Sequence, residues 1–231
     1  MKLTHIDLFS GIGGFSLALD NVYGKENVEH IFCDNEPFAQ EVLKKHWPTS
    51  KIYGDIRKFQ GKKVKADILT GGFPCQPFSR AGRRRAKSDD RYLWPEMLRV
   101  IRETKPTWII GENTPDIKNL ALDEIWDDLE SADYSVQAFD IPAGAVGSPQ
   151  YRYRTWIVAN TNEKRCGEPK KKPLQSRRST AELRSWWSVE PPVGRVAYGL
   201  PRQLDRGRGI GNAIVPQVAE EIMRAIKQSS L

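Results

Sequence analysis

Residues 6–14 read Ile6-Asp7-Leu8-Phe9-Ser10-Gly11-Ile12-Gly13-Gly14. Ile6-Asp7-Leu8-Phe9 reads as a short strand that ends in a glycine turn, and a helical pattern through Leu17 and Leu19 follows, stopping near Gly24. This is the start of a βα unit, with a turn whose backbone can come close to a ligand. The unit recurs. His30-Ile31-Phe32-Cys33 reads as a second strand, and Asn35 is placed to cap a helix with Pro37 in its first turn and Phe38, Val42 and Leu43 on one face. Ile68-Leu69 is a further strand, followed by a helix over 93–104 carrying Leu93, Met97, Val100 and Ile101. Trp108–Ile110, Val136–Phe139 and Trp156–Ala159 add three more strands. Such alternation predicts a mostly parallel sheet with helices on both faces.

The organisation follows from where this rhythm holds. Residues 1–160 are expected to form the catalytic and cofactor-binding domain. Residues 161–206 break the pattern, being basic, polar and Pro-rich around Trp186-Trp187, and read as a small irregular appendage. In 207–231, Val215, Val218, Ile222 and Ile226 share one helix face, which is expected to pack back on the sheet.

Composition narrows the classes. The chain has 231 residues, enough for a real core, and 39% of them are apolar, unlike a disordered protein. No stretch is apolar for long enough to span a bilayer, and the N-terminus lacks the apolar region of a signal peptide. Cys33, Cys75 and Cys166 are widely spaced, which argues for reduced thiols in a cytoplasmic setting and against a disulfide framework or a metal site. Net charge is +7. Residues 160–210 hold twelve Lys or Arg against five acids, which equals that whole excess. A second basic run, Arg83-Arg84-Arg85-Ala86-Lys87, lies close after Cys75. Solvated loops and a polyanion partner both account for such runs; charge beside a candidate nucleophile favours the polyanion.

Cys75 sits in Gly71-Gly72-Phe73-Pro74-Cys75-Gln76-Pro77-Phe78-Ser79, directly after a buried strand. Glycines end the strand, and Pro74 and Pro77 stiffen the backbone on either side of the thiol. A core-filling cysteine and a positioned nucleophile remain the two readings of that residue. At the same sheet edge, the glycines at 11, 13 and 14, Asp34 after the second strand, and Asp55 suggest a nucleoside-containing cofactor; capping and turn formation is the alternative. Gln150, Arg152 and Arg154 alternate with Tyr151 and Tyr153, so the three polar groups are expected on one strand face.

Five motifs stand in the order found in cytosine-5 DNA methyltransferases. They are Asp7–Gly14, Phe73-Pro74-Cys75-Gln76, Glu112-Asn113, Gln150–Arg154 and Gly211-Asn212-Ala213. The chain resembles that family over about 4–160 and 207–227, and looks most like its short phage or prophage members, which carry a segment like Val193-Gly194-Arg195-Val196. The resemblance implies a Rossmann-like methyltransferase fold with S-adenosylmethionine as cofactor. Phe9 would stack on the adenine, and Gly11 and Gly13 would line the methionine end. Asp34 beside Asn35 would hold the ribose, Asp55 and Ile56 the adenine edge, and Leu93, Asn212 and Ala213 the remaining wall. It also implies Cys75, framed by Pro74, as nucleophile, Glu112 as the acid facing a flipped cytosine, and Arg154 beside it. Double-stranded DNA is the implied partner, with contacts expected at Gln76, Ser79, Arg83, Arg84, Arg152, Lys171 and Arg177. A monomer, with a cognate restriction endonuclease in the same system, completes the expectation. Methylation of tRNA, by a branch with a similar Pro-Cys-Gln loop, and a non-catalytic DNA-binding role are the alternatives. Asn35 replaces a common aromatic, Thr114 replaces the usual Val, and 161–206 is short for a recognition region.

Overall fold

The first strand has no wet side. In β1 (Leu3–Leu8), Ile6 and Leu8 face one layer of helices while His5 and Asp7 face the other, and all four are buried. Strands covered on both faces belong to parallel sheets. The computed structural model describes residues 2–74, 92–161 and 211–229, and it contains one seven-stranded sheet. Its strand order is β3-β2-β1-β4-β5-β7-β6, with β2 Val28–Cys33, β3 Lys51–Tyr53, β4 Ile68–Gly71, β5 Trp108–Asn113, β6 Tyr134–Pro142 and β7 Tyr153–Thr161. β1 to β5 run parallel, and β7 is antiparallel to both of its neighbours.

Each face has its own core. Ile6, Leu8, Ile31, Leu69 and Ile109 pack under α3 (Trp94–Thr104) and α5 (Leu122–Glu130), with the short α4 (Ile117–Leu120) alongside. On the other face Val28, Ile68, Ile110 and Trp156 meet α1 (Gly14–Tyr23) and the C-terminal helix α6 (Pro216–Ser229). α6 lies on the sheet: Val218, Met223 and Ile226 are buried, with Ile222 partly so.

Three local expectations need correction. β1 ends at Leu8, because Phe9 turns into the left-handed region at φ 53. Asn35 does not cap α2 (Pro37–His46); Glu36 holds the N-cap position, and its N–H donates instead to Asp34 Oδ1 at 2.9 Å. The buried stripe of α2 is Ala39 and Leu43, continued by Trp47, and not Phe38 and Val42. Residues 75–91 and 162–210 lie outside the described residues, and with them most of the recognition region expected at 161–206.

The chain winds outward from β1 to β3 and then returns to place β4 on the other side of β1. That reversal opens a crevice at the carboxyl ends of β1 and β4, where open α/β sheets bind ligands.

Candidate active site

One wall of the crevice is the turn between β1 and α1. Phe9, Gly11 and Gly13 all adopt positive φ, at 53, 52 and 84°. Gly13 is also pressed against Trp47: a Cβ there would come within 2.5 Å of the indole. A Cβ on Gly11 would meet nothing within 4 Å, so the turn faces open space at that point. Internal bonds hold it. The Gly13 N–H donates to Ser10 O at 2.9 Å, and the Ser10 hydroxyl donates to Asp7 O at 2.5 Å.

Asp34 follows β2 and belongs to the same wall. Its Oδ2 accepts from Gly11 N at 2.7 Å and its Oδ1 from Glu36 N. Burial raises this carboxyl above its ordinary range, and the two N–H bonds oppose that rise. Asn35 beside it is exposed. Asp55 caps a short turn by accepting from Arg57 N at 3.0 Å. The Ile56 side chain is in the core, and its carbonyl accepts from Arg99 Nη2 at 2.7 Å. Leu93, at the N-cap of α3, is partly buried against that core.

The second wall is the end of β5. Glu112 is 7% exposed, and its Oε1 lies 3.0 Å from Arg154 Nε on β7. The approach is an ion pair without hydrogen-bond alignment, so Oε1 keeps no aligned donor among the described residues. Burial pushes the Glu112 carboxyl up, while Arg154 and Arg152 draw it back. Glu112 Oε2 would lie 3.7 Å from a Cβ on Gly72, close to the segment that leads into Cys75. Asn113 ties that segment down: its Nδ2 donates to Phe73 O at 2.9 Å, and Phe73 packs on Trp94. Pro74 is exposed, and Cys75 is the first residue beyond the described segment, as are Gln76, Ser79, Arg83 and Arg84. Lys171 and Arg177 also fall outside it.

β7 begins only at Tyr153, so Gln150 and Arg152 precede the strand, yet Arg152 and Arg154 both act on Glu112 as their alternation suggested. Arg152 also donates from Nη1 to Gly211 O at 3.0 Å and from Nη2 to Ala213 O at 2.7 Å. That clasp brings Asn212 and Ala213 to the sheet. Ile214 then lies against Gly14, 2.7 Å from where a Cβ would stand. Sequence reading missed this use of Arg152 and the tether from Asn113; Asn113 beside Glu112 was the one available signal.

A model of the C-5 cytosine-specific DNA methylases matches residues 3–190, well over half of the chain. The chain belongs to that family. Among curated proteins, it is 35% identical over 171 residues to the type II methyltransferase M.NgoMIV of Neisseria gonorrhoeae, covering 71% of this chain and 53% of that protein. It is 34% identical to M.HhaI of Haemophilus parahaemolyticus, covering 70% and 50%. The chain thus spans about half the length of these relatives. Among solved structures, the methyltransferase EhMeth of Entamoeba histolytica superposes with a TM-score of 0.62 at 21% identity, over 73% of this chain and 55% of that one. At that identity the likeness speaks for the fold, a methyltransferase sheet of Rossmann-like type. No described helix is long and apolar enough to cross a membrane.

Proposed function

We propose that this chain is a DNA (cytosine-5-)-methyltransferase that uses Cys75 as nucleophile and Glu112 as acid. The single observation that carries the reading is Glu112: a buried carboxyl with a raised proton affinity, paired to Arg154, beside the segment that delivers a Pro-Cys-Gln loop. C5 of cytosine is a weak nucleophile. Addition of the Cys75 thiolate at C6 makes it enamine-like, while Glu112 gives a proton to N3 and Arg154 steadies the carboxylate left behind. Once C5 carries the methyl group that the cofactor would supply, N3 returns its proton to Glu112, and loss of the C5 proton to solvent expels the Cys75 thiolate and restores the ring. A cytosine reaches these groups only by leaving the duplex stack, at a cost of a few kcal/mol. Basic residues at 83–87 and 164–208 would offset that cost through phosphate contacts.

The glycine turn fits S-adenosylmethionine, which supplies the electrophilic methyl group when bound. Gly11 opens on free space, and the carboxylate of Asp34 keeps lone pairs for ribose hydroxyls beyond the two N–H groups it accepts. Phe9, Gly13, Asp55, the backbone of Ile56, Leu93, Asn212 and Ala213 would complete the walls. The family's methyltransferase identity supports this choice of cofactor. Duplex DNA as substrate, a monomeric enzyme, cytoplasmic residence and a companion restriction endonuclease belong to the same reading; the type II names of the relatives support it.

The test is transfer of labelled methyl from the cofactor to DNA by the full chain, beside Cys75→Ser. The expected result is label at cytosine C5, lost in the variant. Label at adenine, or undiminished transfer by Cys75→Ser, overturns the reading.

A further inference from the structure

The face of the sheet beneath α1 carries polar side chains at positions where its opposite face is apolar. A continuous line of short contacts joins them. Asp7 Oδ1 lies 3.0 Å from Thr70 Oγ1, and Thr70 Oγ1 lies 2.9 Å from His5 Nε2. His5 Nδ1 lies 2.9 Å from His30 Nδ1, and His30 Nε2 lies 2.8 Å from Asp20 Oδ1 on α1. Asp7, His5 and Thr70 are fully buried, and His30 is 3% exposed.

Each of these four contacts needs one hydrogen between its heavy atoms. A neutral imidazole brings one N–H, a hydroxyl one O–H, and an ionised carboxylate none. Two imidazoles and one hydroxyl therefore supply three hydrogens for four contacts. The remaining neighbours do not alter the count. The Ser16 hydroxyl donates to Asp7 Oδ2 at 2.8 Å, and the Trp47 indole N–H donates to Asp20 Oδ2 at 2.9 Å.

We infer that this line holds one additional proton, shared between Asp7 and His30, and that Thr70, His5 and His30 are positioning residues that anchor the glycine turn through it. Two arrangements satisfy every contact with the same heavy-atom positions. In one, His30 donates from both ring nitrogens, to Asp20 and to His5; His5 donates to Thr70, and Thr70 to Asp7. In the other, Asp7 donates to Thr70, Thr70 to His5, His5 to His30, and His30 to Asp20. One hydrogen moves along each of three contacts to convert them, and no proton is gained or lost.

Burial pushes the Asp7 carboxyl up to about 7, with Asp34 adding to the rise, and it holds His5 well below its ordinary value. Asp20 faces the other end from α1. His46 and Lys25 flank the Trp47 ring at 6.0 and 5.6 Å. His30 and Trp47 border a surface cleft also lined by Lys2, Lys25, Glu26, Glu29 and Lys51. Loss of the shared proton sets two lone pairs against each other at one contact, and the line parts there. Asp7 keeps its proton where the unfolded chain releases it, which makes stability fall as pH rises through about 7, while the buried neutral His5 makes stability rise through the ordinary histidine range, so the two offset each other in the melting temperature.

Asp7 accepts from Ser10 through its carbonyl and from Ser16 through its carboxylate, so the line lies directly behind the turn of residues 9–13. Its effect on cofactor binding rests on the cofactor reading above; the proton count does not.

Ring-15N histidine NMR of the full chain is the test, and only three histidines contribute signals. The expected spectrum at pH 6.5 shows coupling between the Nδ1 atoms of His5 and His30 through one shared hydrogen. It is lost on going to pH 9. Affinity for S-adenosylmethionine, measured by calorimetry, is expected to weaken about tenfold over the same range, the equivalent of one unit of proton linkage. Thr70→Val cuts the line and is expected to flatten both pH responses, while Thr70→Ser keeps them. Two unlinked neutral imidazoles in the parent spectrum overturn the proposal, as does an unchanged pH response in a folded Thr70→Val. If Thr70→Val does not fold, the parent spectrum decides alone. Absence of cofactor binding at every pH removes the cofactor reading and leaves the proton count to the spectrum.

Discussion

The glycine turn and the Glu112 corner occupy the same edge of one sheet, yet they are held in opposite ways. The turn is closed on itself: Gly11 and Gly13 N–H groups, the Ser10 hydroxyl and both Asp34 oxygens all have short partners within it. At the corner, Glu112 Oε1 and Arg152 Nε have no hydrogen-bond partner among the described residues, and charge rather than bonding holds Glu112 to Arg154. A satisfied turn is a preformed receptor. An unsatisfied buried carboxyl is a group kept ready for a substrate's polar edge, because an unmade bond at a buried site costs about 1–3 kcal/mol. On the proposed function, binding belongs to the rigid wall and proton transfer to the unsatisfied one.

This contrast can be broken from either side. Glu112→Gln removes the acid and leaves the shape, and methyl transfer is expected to fall about a thousandfold, near the middle of the usual range for a general acid. Single-turnover rates should show the loss with cofactor affinity intact; an equal loss of both would dissolve the division between walls. Gly13→Ala attacks the turn, where φ is 84° and a Cβ meets the Trp47 ring. The expected cost is about 3 kcal/mol of stability, from left-handed backbone and overpacking together, read by urea denaturation. Asp34→Ala leaves the Gly11 and Glu36 N–H groups without their acceptor. Cofactor affinity is expected to drop about thirtyfold, the equivalent of 2 kcal/mol, with the rate of transfer from bound cofactor little changed. Arg154→Leu sharpens the picture at the corner. Burial already raises the Glu112 carboxyl and Arg154 lowers it, so removing the cation moves it further up. The protonated acid then survives to higher pH, and the alkaline fall in transfer rate is expected to move up by about one unit in a pH–rate profile.

The legibility of the chain divides along physical lines. β1, β2, β4 and β5 were plain in the sequence, since strands buried on both faces are apolar runs closed by turns. β3 has three residues and no buried side chain, too little for a pattern. The helices of 117–130 were hidden behind acids: Asp123, Glu124, Asp127 and Asp128 mask Ile125 and Leu129, although both of these are fully buried. Glu112 was legible because it ends a strand in a recognisable motif. The clasp made by Arg152 was missed because its carbonyl partners at 211 and 213 are distant in sequence, and alternation alone cannot say where β7 begins. Phe9 at positive φ is a choice of the folded backbone that no side-chain pattern signals. The buried contact between His5 and His30 went unread for a related reason: a polar residue in a strand suggests a wet face, and here that face lies under α1.

Trp47 gives the turn a further property. Its indole rests on the backbone of Gly13 and its N–H is fixed to Asp20, so the ring cannot rotate away from what happens there. Indole emission shifts with the dipoles around it. This chain therefore carries an optical gauge against its own glycine turn, and a Trp47→Phe difference spectrum isolates its light from that of the six other tryptophans.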